Sequence, residues 1–404
     1  MRIVMINSGN YGSTGNIMIE IADVARTKGH IVYTACPDGK SMRKKQLDNH
    51  IYIGNRIGRN LHIKLSSITG LHGMFSIIDT KVFLKKLDKI KPDVIHLHNL
   101  HSCYINLPML FGYIKKHHIR VIWTLHDCWA FTGQCPHFTM VNCEKWKTGC
   151  SQCPQYRSYP SAYVDQTKLM WKLKKKWFTG VEDLTIVTPS KWLGDLVNES
   201  FLEHYPVKII YNGINLEVFK PYVSNIRKEL GIKENEYMLL GVAFGWEKRK
   251  GLDVFIQLAT TLDEHYKIVL VGTNDEVEKE LPSNIISIHR TENQEELTRI
   301  YSAADLFVNP TREEVLGMVN LEALACGTPV ITFKSGGSPE CVNNSCGVVV
   351  PCDDISAMRK HIEDIISRHL FSENACRQFA KRFDIHEKYR EYVEVFEAWK
   401  EKEY

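Results

Sequence analysis

The sequence of 404 residues lacks a long hydrophobic run, since no apolar stretch approaches the roughly eighteen residues that a membrane-spanning helix needs. Short repeats and low-complexity tracts are also missing. A content of 44% apolar and 24% charged residues is typical of globular proteins and excludes a mainly disordered chain. The first ten residues turn polar after a short apolar run, which indicates a first strand and not a secretory signal. We expect a soluble, cytoplasmic protein of two or three domains.

Neither half of the chain is balanced in charge. Residues 1–220 contain 29 Lys and Arg against 16 Asp and Glu, a net charge of +13, whereas the remainder contains 22 against 31, a net charge of −9. The excess in the first half would suit nucleic acid, an anionic membrane surface or a diphosphate ligand, although two solvated surfaces of unequal composition would look the same. No recognised nucleic-acid-binding module is present, so we predict no nucleic-acid partner.

Strand, loop and helix patterns alternate along the whole chain, which predicts parallel sheets with helices on both faces. The pattern restarts after Pro221. We predict an α/β protein with two doubly wound, Rossmann-like domains over residues 1–215 and 216–384, and a C-terminal helix within 385–404 that could cross back to the first domain. Ligands bind outside the carboxyl ends of parallel strands, so the site should lie in strand-to-helix loops facing each other across a cleft.

The first such loop runs from Asn7 to Gly15 and contains three glycines. Glycines let the backbone approach a ligand closely, and the start of a helix favours anions. The spacing fits neither the G-x-G-x-x-G fingerprint nor a P-loop. A phosphate-binding loop and a tight turn without a ligand both remain open.

A second loop, from Gly241 to Gly251, places Lys248, Arg249 and Lys250 just before a predicted helix. Positive charge is unfavourable at a helix start, because the macrodipole is positive there. A bound anion would remove this conflict, so the loop favours a diphosphate site over a solvated run of charges.

A third element pairs Glu314 and Glu322, with seven residues between them. Glu314 precedes a predicted helix and Glu322 lies inside it, where a buried carboxylate needs a partner. Gly317 and Met318 lie near the helix start, where backbone N–H groups are free. Carboxylates beside free N–H groups suit the hydroxyls of a sugar and a ribose.

These motifs, in this order, resemble those of glycosyltransferase family 4, which is a retaining family with the GT-B fold. The family's main signature is matched by Glu314 and Glu322 followed by Ala-Leu-Ala-Cys-Gly-Thr-Pro-Val-Ile. Other matching stretches are Thr188–Leu193, Tyr211–Asn215, Lys248–Asp253, Tyr301–Leu306 and Ser335–Glu340. The resemblance extends from about residue 2 to about residue 400.

The resemblance implies a role for each matched residue. Glu314 would face the donor sugar near its anomeric centre, and Lys250 would bind the diphosphate and stabilise the leaving group. Many family members carry an arginine five residues before this lysine, where this chain has Gly245, so Arg249 or Lys248 would supply the second charge. The resemblance also implies that the Glu322 carboxylate binds the ribose. The backbone of Gly317, Met318 and Val319 would contact sugar hydroxyls and phosphate. Thr14 and Gly15, from the first domain, would contact the diphosphate.

Histidines follow two predicted strands. His126 comes at the end of one strand and is a candidate catalytic contact to donor or acceptor, or else a support hydrogen-bonded to Asp127. His96, His98 and His101 follow another strand, and we interpret them as lining of the cleft.

The activity that the resemblance implies is transfer of a sugar from a nucleotide-diphosphate donor, UDP- or GDP-linked, to a hydroxyl of a saccharide acceptor. The acceptor would be lipid-linked, in capsule, O-antigen or exopolysaccharide synthesis, and no cofactor or divalent metal would be needed at the phosphates. The alternatives are a GT-B-like nucleotide-sugar epimerase or sugar phosphorylase, and a non-enzymatic basic binding protein.

A loop insertion over residues 128–155 contains five cysteines, of which Cys128 is interpreted as packing and four are candidate metal ligands: Cys135, Cys143, Cys150 and Cys153. The last two form a Cys-x2-Cys pair, and four thiolates within about twenty residues can wrap one structural zinc. Buried apolar thiols in a long loop are the alternative.

A basic segment from Lys168 to Phe178 has apolar residues at Leu169, Leu173 and Trp177, four residues apart, among five lysines. A basic amphipathic helix with tryptophan suits an anionic membrane surface, which predicts peripheral association with the inner face of the cell membrane. An ordinary surface helix with its apolar face on the core is the alternative.

Overall fold

The computed structural model describes residues 1–39 and 48–398 and divides into two compact units. Unit 1 contains the chain up to Tyr211 together with the C-terminal segment from Lys388, and unit 2 is Asn212–Glu387. The sequence places the boundary after residue 215, a few residues beyond this division. Among the helices in the described ranges, none combines the length and apolar character needed to cross a bilayer.

Unit 1 contains a seven-stranded parallel sheet in the order β3-β2-β1-β4-β5-β6-β7. The central strands are apolar and buried, as expected when helices cover both faces of a parallel sheet. Strand β1 has β2 on one side and β4 on the other, so the strand order reverses beside β1. The strands are β1 (Arg2–Ile6), β2 (Ile31–Pro37), β3 (His50–Ile53), β4 (Val94–Leu97), β5 (Arg120–Thr124), β6 (Leu184–Thr188) and β7 (Val207–Ile209).

The helices of unit 1 connect these strands: α1 (Gly12–Thr27), α2 (Arg56–Thr69), α3 (Ile77–Ile90), α4 (Leu107–Lys116), α5 (Lys145–Thr148), α6 (Thr167–Phe178) and α7 (Lys191–Asn198). The C-terminal segment also packs on this sheet. The ring of Tyr392 lies 5.5 Å from that of His96, and Arg120 donates a buried 2.9 Å hydrogen bond to the carbonyl of Val395.

Unit 2 contains a six-stranded parallel sheet in the order β10-β9-β8-β11-β12-β13. Here β8 lies between β9 and β11, so the order reverses beside β8. Two doubly wound parallel sheets confirm the predicted fold class. The strands are β8 (Tyr237–Val242), β9 (Tyr266–Val271), β10 (Ile285–Ile288), β11 (Leu306–Asn309), β12 (Val330–Phe333) and β13 (Gly347–Val350).

Helices α9 and α13 supply much of the apolar core of unit 2, with Phe255 and Leu258 from the first and Ile362 from the second fully buried. The helices are α8 (Ile226–Glu229), α9 (Leu252–Thr261), α10 (Asp275–Glu280), α11 (Gln294–Ala303), α12 (Met318–Ala325), α13 (Ile355–Arg368), α14 (Glu373–Ala380) and α15 (Ile385–Glu397), the last of which continues into unit 1.

The basic segment forms the helix that the sequence predicts, α6, but the interpretation of its apolar face as a membrane contact is wrong. Met170, Trp171 and Trp177 are buried in the protein, whereas Leu169 is 42% exposed. Lys174 is fully buried as well, and its Nζ donates to the carbonyls of Trp129 and Thr132 at 2.7 and 3.1 Å. Periodicity identifies an amphipathic helix but does not say what its apolar face packs against.

Candidate active site

Three loops of unit 2 leave the carboxyl ends of the neighbouring strands β8, β11 and β12. They carry Lys248–Lys250, the segment from Thr311 to Gly317, and Ser335–Glu340. The point where strand order reverses is where doubly wound sheets bind ligands. The motifs predicted from the sequence for donor binding therefore meet at one edge of one sheet.

Two of the predicted catalytic residues form an ion pair. The Nζ of Lys250 lies 2.7 Å from Oε2 of Glu314, although the residues are 64 positions apart. Their side chains are 22% and 23% exposed, so both are partly shielded yet open to a ligand. The fold brings an ammonium and a carboxylate together at the place where the sequence predicts a diphosphate and a sugar.

The sequence analysis did not identify Arg312. This residue connects two of these loops through hydrogen bonds and ion pairs. Its guanidinium donates to both carboxylate oxygens of Asp253 at 2.8 Å, to Asp353 at 2.7 Å and to the carbonyl of Lys248. The Arg312 backbone N–H donates to the carbonyl of Arg249 at 2.9 Å. With 8% of its side chain exposed, Arg312 is a buried cation held by two carboxylates.

The same network acts on Asp253. Burial alone would raise the pKa of this carboxyl, but the hydrogen bonds and charge of Arg312 outweigh burial and hold the pKa below its ordinary value. Arg312 stands directly before the Glu-Glu pair, and Asp253 closes the Lys-Gly-Leu-Asp stretch, so both lay within recognised motifs. Nothing in the spacing indicates that they pair.

The side chain of Arg249, the predicted second cation, pairs with Glu247 at 2.9 Å and is one-third exposed. Its carbonyl also accepts from the backbone N–H of Arg312. Arg249 thus lies next to Lys250 but has a carboxylate partner of its own.

The position of Glu314 depends on the loop after β12. Gly337 donates its N–H to the carbonyl of Glu314 at 3.1 Å. Gly336 has a φ of +54°, and a Cβ there would lie 1.6 Å from that same carbonyl oxygen. Only glycine allows this approach, which explains the glycine at position 336.

Helix α12 begins at Met318, directly after Gly317, which adopts a φ of +88°. No side chain caps this end, so the first-turn N–H groups of Met318 and Val319 have no side-chain acceptor among the described residues. Next to Gly317 lie Nδ2 of Asn320 and Oγ of Ser338, both buried and without a hydrogen-bond partner among those residues. Such a helix start suits an anion or a sugar hydroxyl.

Glu322 lies inside α12, as predicted, and has a protein partner that the sequence did not reveal. The hydroxyl of Tyr301 on α11 donates to Oε2 of Glu322 at 2.8 Å. Burial raises the pKa of Glu322 to about 6, and the Tyr301 hydrogen bond opposes this rise. The Tyr301 hydroxyl therefore engages Oε2 of the carboxylate.

In unit 1, the loop after β1 is shorter than the sequence suggests, because α1 begins at Gly12. Thr14 and Gly15 therefore lie in the first turn of the helix. The side chain of Asn7 holds the loop by donating to the carbonyl of Gly9 at 2.9 Å and to Oγ1 of Thr14 at 3.4 Å. A Cβ at Gly15 would come within 2.8 Å of the backbone of Asn10, so the loop packs closely on the helix. The first turn contains no acidic residue, which suits an anion.

His126 pairs with a second histidine and not with Asp127. Its Nε2 lies 3.0 Å from Nδ1 of His98, and the two rings stack with centroids 5.3 Å apart. Burial lowers the pKa of His126 to about 4, so the pair is neutral at neutral pH. Asp127 instead accepts from His101 at 2.9 Å.

His96 is fully buried and hydrogen-bonded to Thr124 at 2.8 Å, so it belongs to the core and does not line a site.

The predicted site residues fall into two groups. Thr14, Gly15 and His126 belong to unit 1, whereas Arg249, Lys250, Glu314, Gly317, Met318, Val319 and Glu322 belong to unit 2.

Comparison with known proteins agrees with this architecture. The model of a family described as Glycosyl transferases group 1 matches residues 223–383, and the model of Glycosyltransferase Family 4 matches residues 14–218, about half of the chain. A putative colanic acid biosynthesis glycosyl transferase, WcaC, of Escherichia coli K12 is 25% identical over 300 residues, which cover 72% of each chain.

Two solved structures resemble the fold. Sucrose-phosphate synthase from Thermosynechococcus elongatus has a TM-score of 0.71 at 18% identity and is covered over 98% of both chains. Anabaena Alr3699/HepE, solved in complex with UDP, has a TM-score of 0.70 at 16% identity, with 98% of this chain and 99% of that chain covered.

Two doubly wound domains and these structural neighbours show the GT-B fold, and the two family models show a glycosyltransferase. Within that class, the chain belongs to Glycosyltransferase Family 4.

We predict that Arg312→Lys lowers the free energy of unfolding by about 2 kcal/mol, because lysine cannot form the two-pronged bond to Asp253. Asp253→Asn should cost a similar amount, and the double variant should cost less than the sum of the two. Thermal unfolding measures all three. Arg359→Lys, which changes a surface pair with Glu363, is the matched control and should stay within about 0.5 kcal/mol. Additive losses would mean that the Arg312–Asp253 bond is not formed.

We also predict a pH-dependent effect of Glu322→Gln. A carboxyl whose pKa rises from 4.5 to about 6 on folding adds stability that is complete below pH 4.5 and is lost as pH rises through 6. Glutamine does not ionise. From pH 4.5 to 7.5, the free energy of unfolding of the variant should therefore rise by about 2 kcal/mol relative to that of the unmodified protein. Glu280→Gln at the exposed end of α10 is the control. A difference that does not change with pH would contradict the buried position of Glu322.

Proposed function

We propose that this chain is a retaining glycosyltransferase that moves a sugar from a nucleoside-diphosphate donor to a hydroxyl of a lipid-linked saccharide. The observation that carries the proposal is the 2.7 Å pair of Lys250 and Glu314, which lies in the same strand-end loops as the uncapped start of α12. A cation, a carboxylate and free N–H groups offer complementary contacts to a diphosphate and a sugar. Glu322 would accept from the ribose hydroxyls.

Charge accumulates on the leaving diphosphate as the glycosidic bond breaks. Lys250 and the N–H groups of Met318 and Val319 would stabilise this charge from fixed positions, which is the largest source of rate in such reactions. In this proposal the ammonium of Lys250 supplies the positive charge that a metal ion could otherwise supply at the phosphates, so transfer needs no added divalent cation. Glu314 holds Lys250 by the ion pair and contacts the sugar, and Arg312 keeps the loops of both residues together.

Retention would follow from attack on the face that the diphosphate leaves. The anomeric carbon loses its bond to the phosphate oxygen and gains one to the acceptor oxygen, while the acceptor proton passes to the departing phosphate. His126, neutral because burial lowers the pKa of its ring to about 4, would hydrogen-bond donor or acceptor without adding a charge. Thr14 and Gly15 would contribute the start of α1 to the diphosphate.

The names of related proteins support a role in surface polysaccharide synthesis. WcaC is named for colanic acid biosynthesis, and Anabaena HepE was solved with UDP bound. We therefore propose a UDP-sugar as the first donor to test, and capsule, O-antigen or exopolysaccharide as the product.

For the donor site, we predict that UDP-glucose raises the unfolding temperature of the unmodified protein but not of Lys250→Met. Glu314→Gln should lower transfer at least about 100-fold while the protein stays folded. Lys279→Met, an exposed lysine on α10, is the matched control and should bind as the unmodified protein does. Full transfer by folded Glu314→Gln would remove Glu314 from the mechanism, and equal shifts with Lys250→Met would remove Lys250 from the donor site.

A lipid-linked acceptor requires contact with a membrane, and the exposed apolar residues that could provide it lie on α2 and α3. Ile57 and Leu61, one turn apart on α2, are 81% and 56% exposed, and Ile78 and Val82, one turn apart on α3, are 78% and 52% exposed. Asp79 packs against Gly54 and Gly58, which places the starts of the two helices side by side. The exposed basic residues around them are Arg56, Lys64, Lys81, Lys85, Lys86 and Lys89. We propose that this α2–α3 surface, and not α6, binds an anionic bilayer.

We predict that the protein floats with vesicles containing phosphatidylglycerol and less with pure phosphatidylcholine, and that salt weakens the binding. The double variant Ile57→Ser, Ile78→Ser should lose most of the bound fraction. Val223→Ser, which changes a 99% exposed residue of unit 2, should keep it. Equal flotation of both variants would contradict this location for the membrane contact.

A further inference from the structure

The cysteine-rich insertion brings four of its thiols near one another. Cys135 and Cys150 are buried, Cys143 and Cys153 are half-buried, and Cys135 and Cys153 share a hydrogen bond. Cys150 interacts electrostatically with Cys135, Cys143 and Cys153. The set that the sequence analysis selected by spacing alone is therefore a cluster in space.

Backbone N–H groups point at two of these sulfur atoms. Gly133 donates to Sγ of Cys150 at 3.1 Å, and the backbone of Gln155 donates to Cys153. Backbone N–H groups of this kind orient sulfur ligands around a metal.

In the part of the chain that the structure describes, a buried lysine next to the cluster has no carboxylate partner in an ion pair. Lys174 is fully buried, and its Nζ donates to the carbonyls of Trp129 and Thr132 and lies 3.4 Å from the centre of the Trp129 ring. Among the described residues no carboxylate lies within 4.0 Å of it, and the acidic groups that interact with it at longer range are Cys150, Cys135 and Asp127. A buried ammonium is costly unless negative charge lies nearby.

We propose that Cys135, Cys143, Cys150 and Cys153 bind one structural Zn²⁺ as thiolates, with the Lys174 ammonium as the buried counter-charge. Four thiols lose four protons on binding, and Zn²⁺ with four thiolates has a net charge of −2, which Lys174 partly neutralises. The site would fasten the insertion to α6, which carries Lys174. It is independent of the donor chemistry proposed above.

The sulfur atoms must approach one another for this site to form. Among the described residues, one group of three metal-binding side chains has all its ligand atoms within 4.8 Å of one another. That group is the exposed Asp275, Glu278 and His289, so no three of the four cysteines meet this distance. A zinc–sulfur distance of about 2.3 Å in a tetrahedron sets sulfur–sulfur distances of about 3.8 Å. Zinc would thus tighten the insertion, and its removal should be seen as a loss of stability.

The test is the zinc content of the full chain, purified without a metal-affinity tag from zinc-supplemented medium. We expect about one zinc per chain, less than about 0.2 in Cys135→Ser and Cys153→Ser, and about one in Cys352→Ser, an exposed cysteine outside the insertion. Lys174→Met should release zinc to a chromogenic chelator at least about tenfold more readily.

A second measurement does not depend on the cysteine variants folding. Removing the metal from the unmodified protein with a chelator should lower its unfolding temperature, one equivalent of Zn²⁺ should restore it, and Co²⁺ in its place should show thiolate-to-cobalt absorption. The proposal is overturned if the unmodified protein contains no stoichiometric zinc and gains no stability from it. It is also overturned if Cys135→Ser and Cys153→Ser retain as much zinc as Cys352→Ser.

Discussion

The buried guanidinium of Arg312 is the contact on which the geometry of the donor-side site depends. It joins the loop after β8, through Asp253 and the carbonyl of Lys248, to the loop after β11 that carries Glu314. Removing one partner of such a network leaves a charge buried without compensation, which is far more costly than the net value of the bond. The loops are therefore fixed relative to each other before any ligand arrives. Preorganisation of this kind is what electrostatic catalysis requires.

The two units present different chemistry at their strand ends. In unit 2, the Lys250–Glu314 pair and the uncapped start of α12 provide charge and free N–H groups for an anionic donor. In unit 1, His126 and His98 form a neutral stacked pair, and the start of α1 has no acidic residue. The groups of unit 2 suit the proposed reaction, since the leaving diphosphate needs charge compensation.

The fold class and the position of the motifs were predictable because they depend on local pattern. Apolar strands, turns and the order of the loops place Lys250 and Glu314 at strand ends without knowledge of any contact. Arg312 with Asp253, and Tyr301 with Glu322, could not be predicted, because these partners are 59 and 21 residues apart and no periodicity links them. For α6 the pattern predicted the helix but not its surroundings. Its tryptophans and Lys174 are buried, whereas α2 and α3 each carry exposed aliphatic residues one turn apart.

The most direct test of the central claim is phosphorus NMR of UDP-glucose, GDP-mannose and ADP-glucose in the presence of the protein. If Lys250 and the start of α12 form the diphosphate site, both phosphorus resonances of one donor should shift or broaden with the unmodified protein. They should remain as in free solution with Lys250→Met, while Lys279→Met leaves the perturbation unchanged. Resonances that respond equally to the unmodified protein and to folded Lys250→Met, or that respond to neither for any donor, would contradict the account.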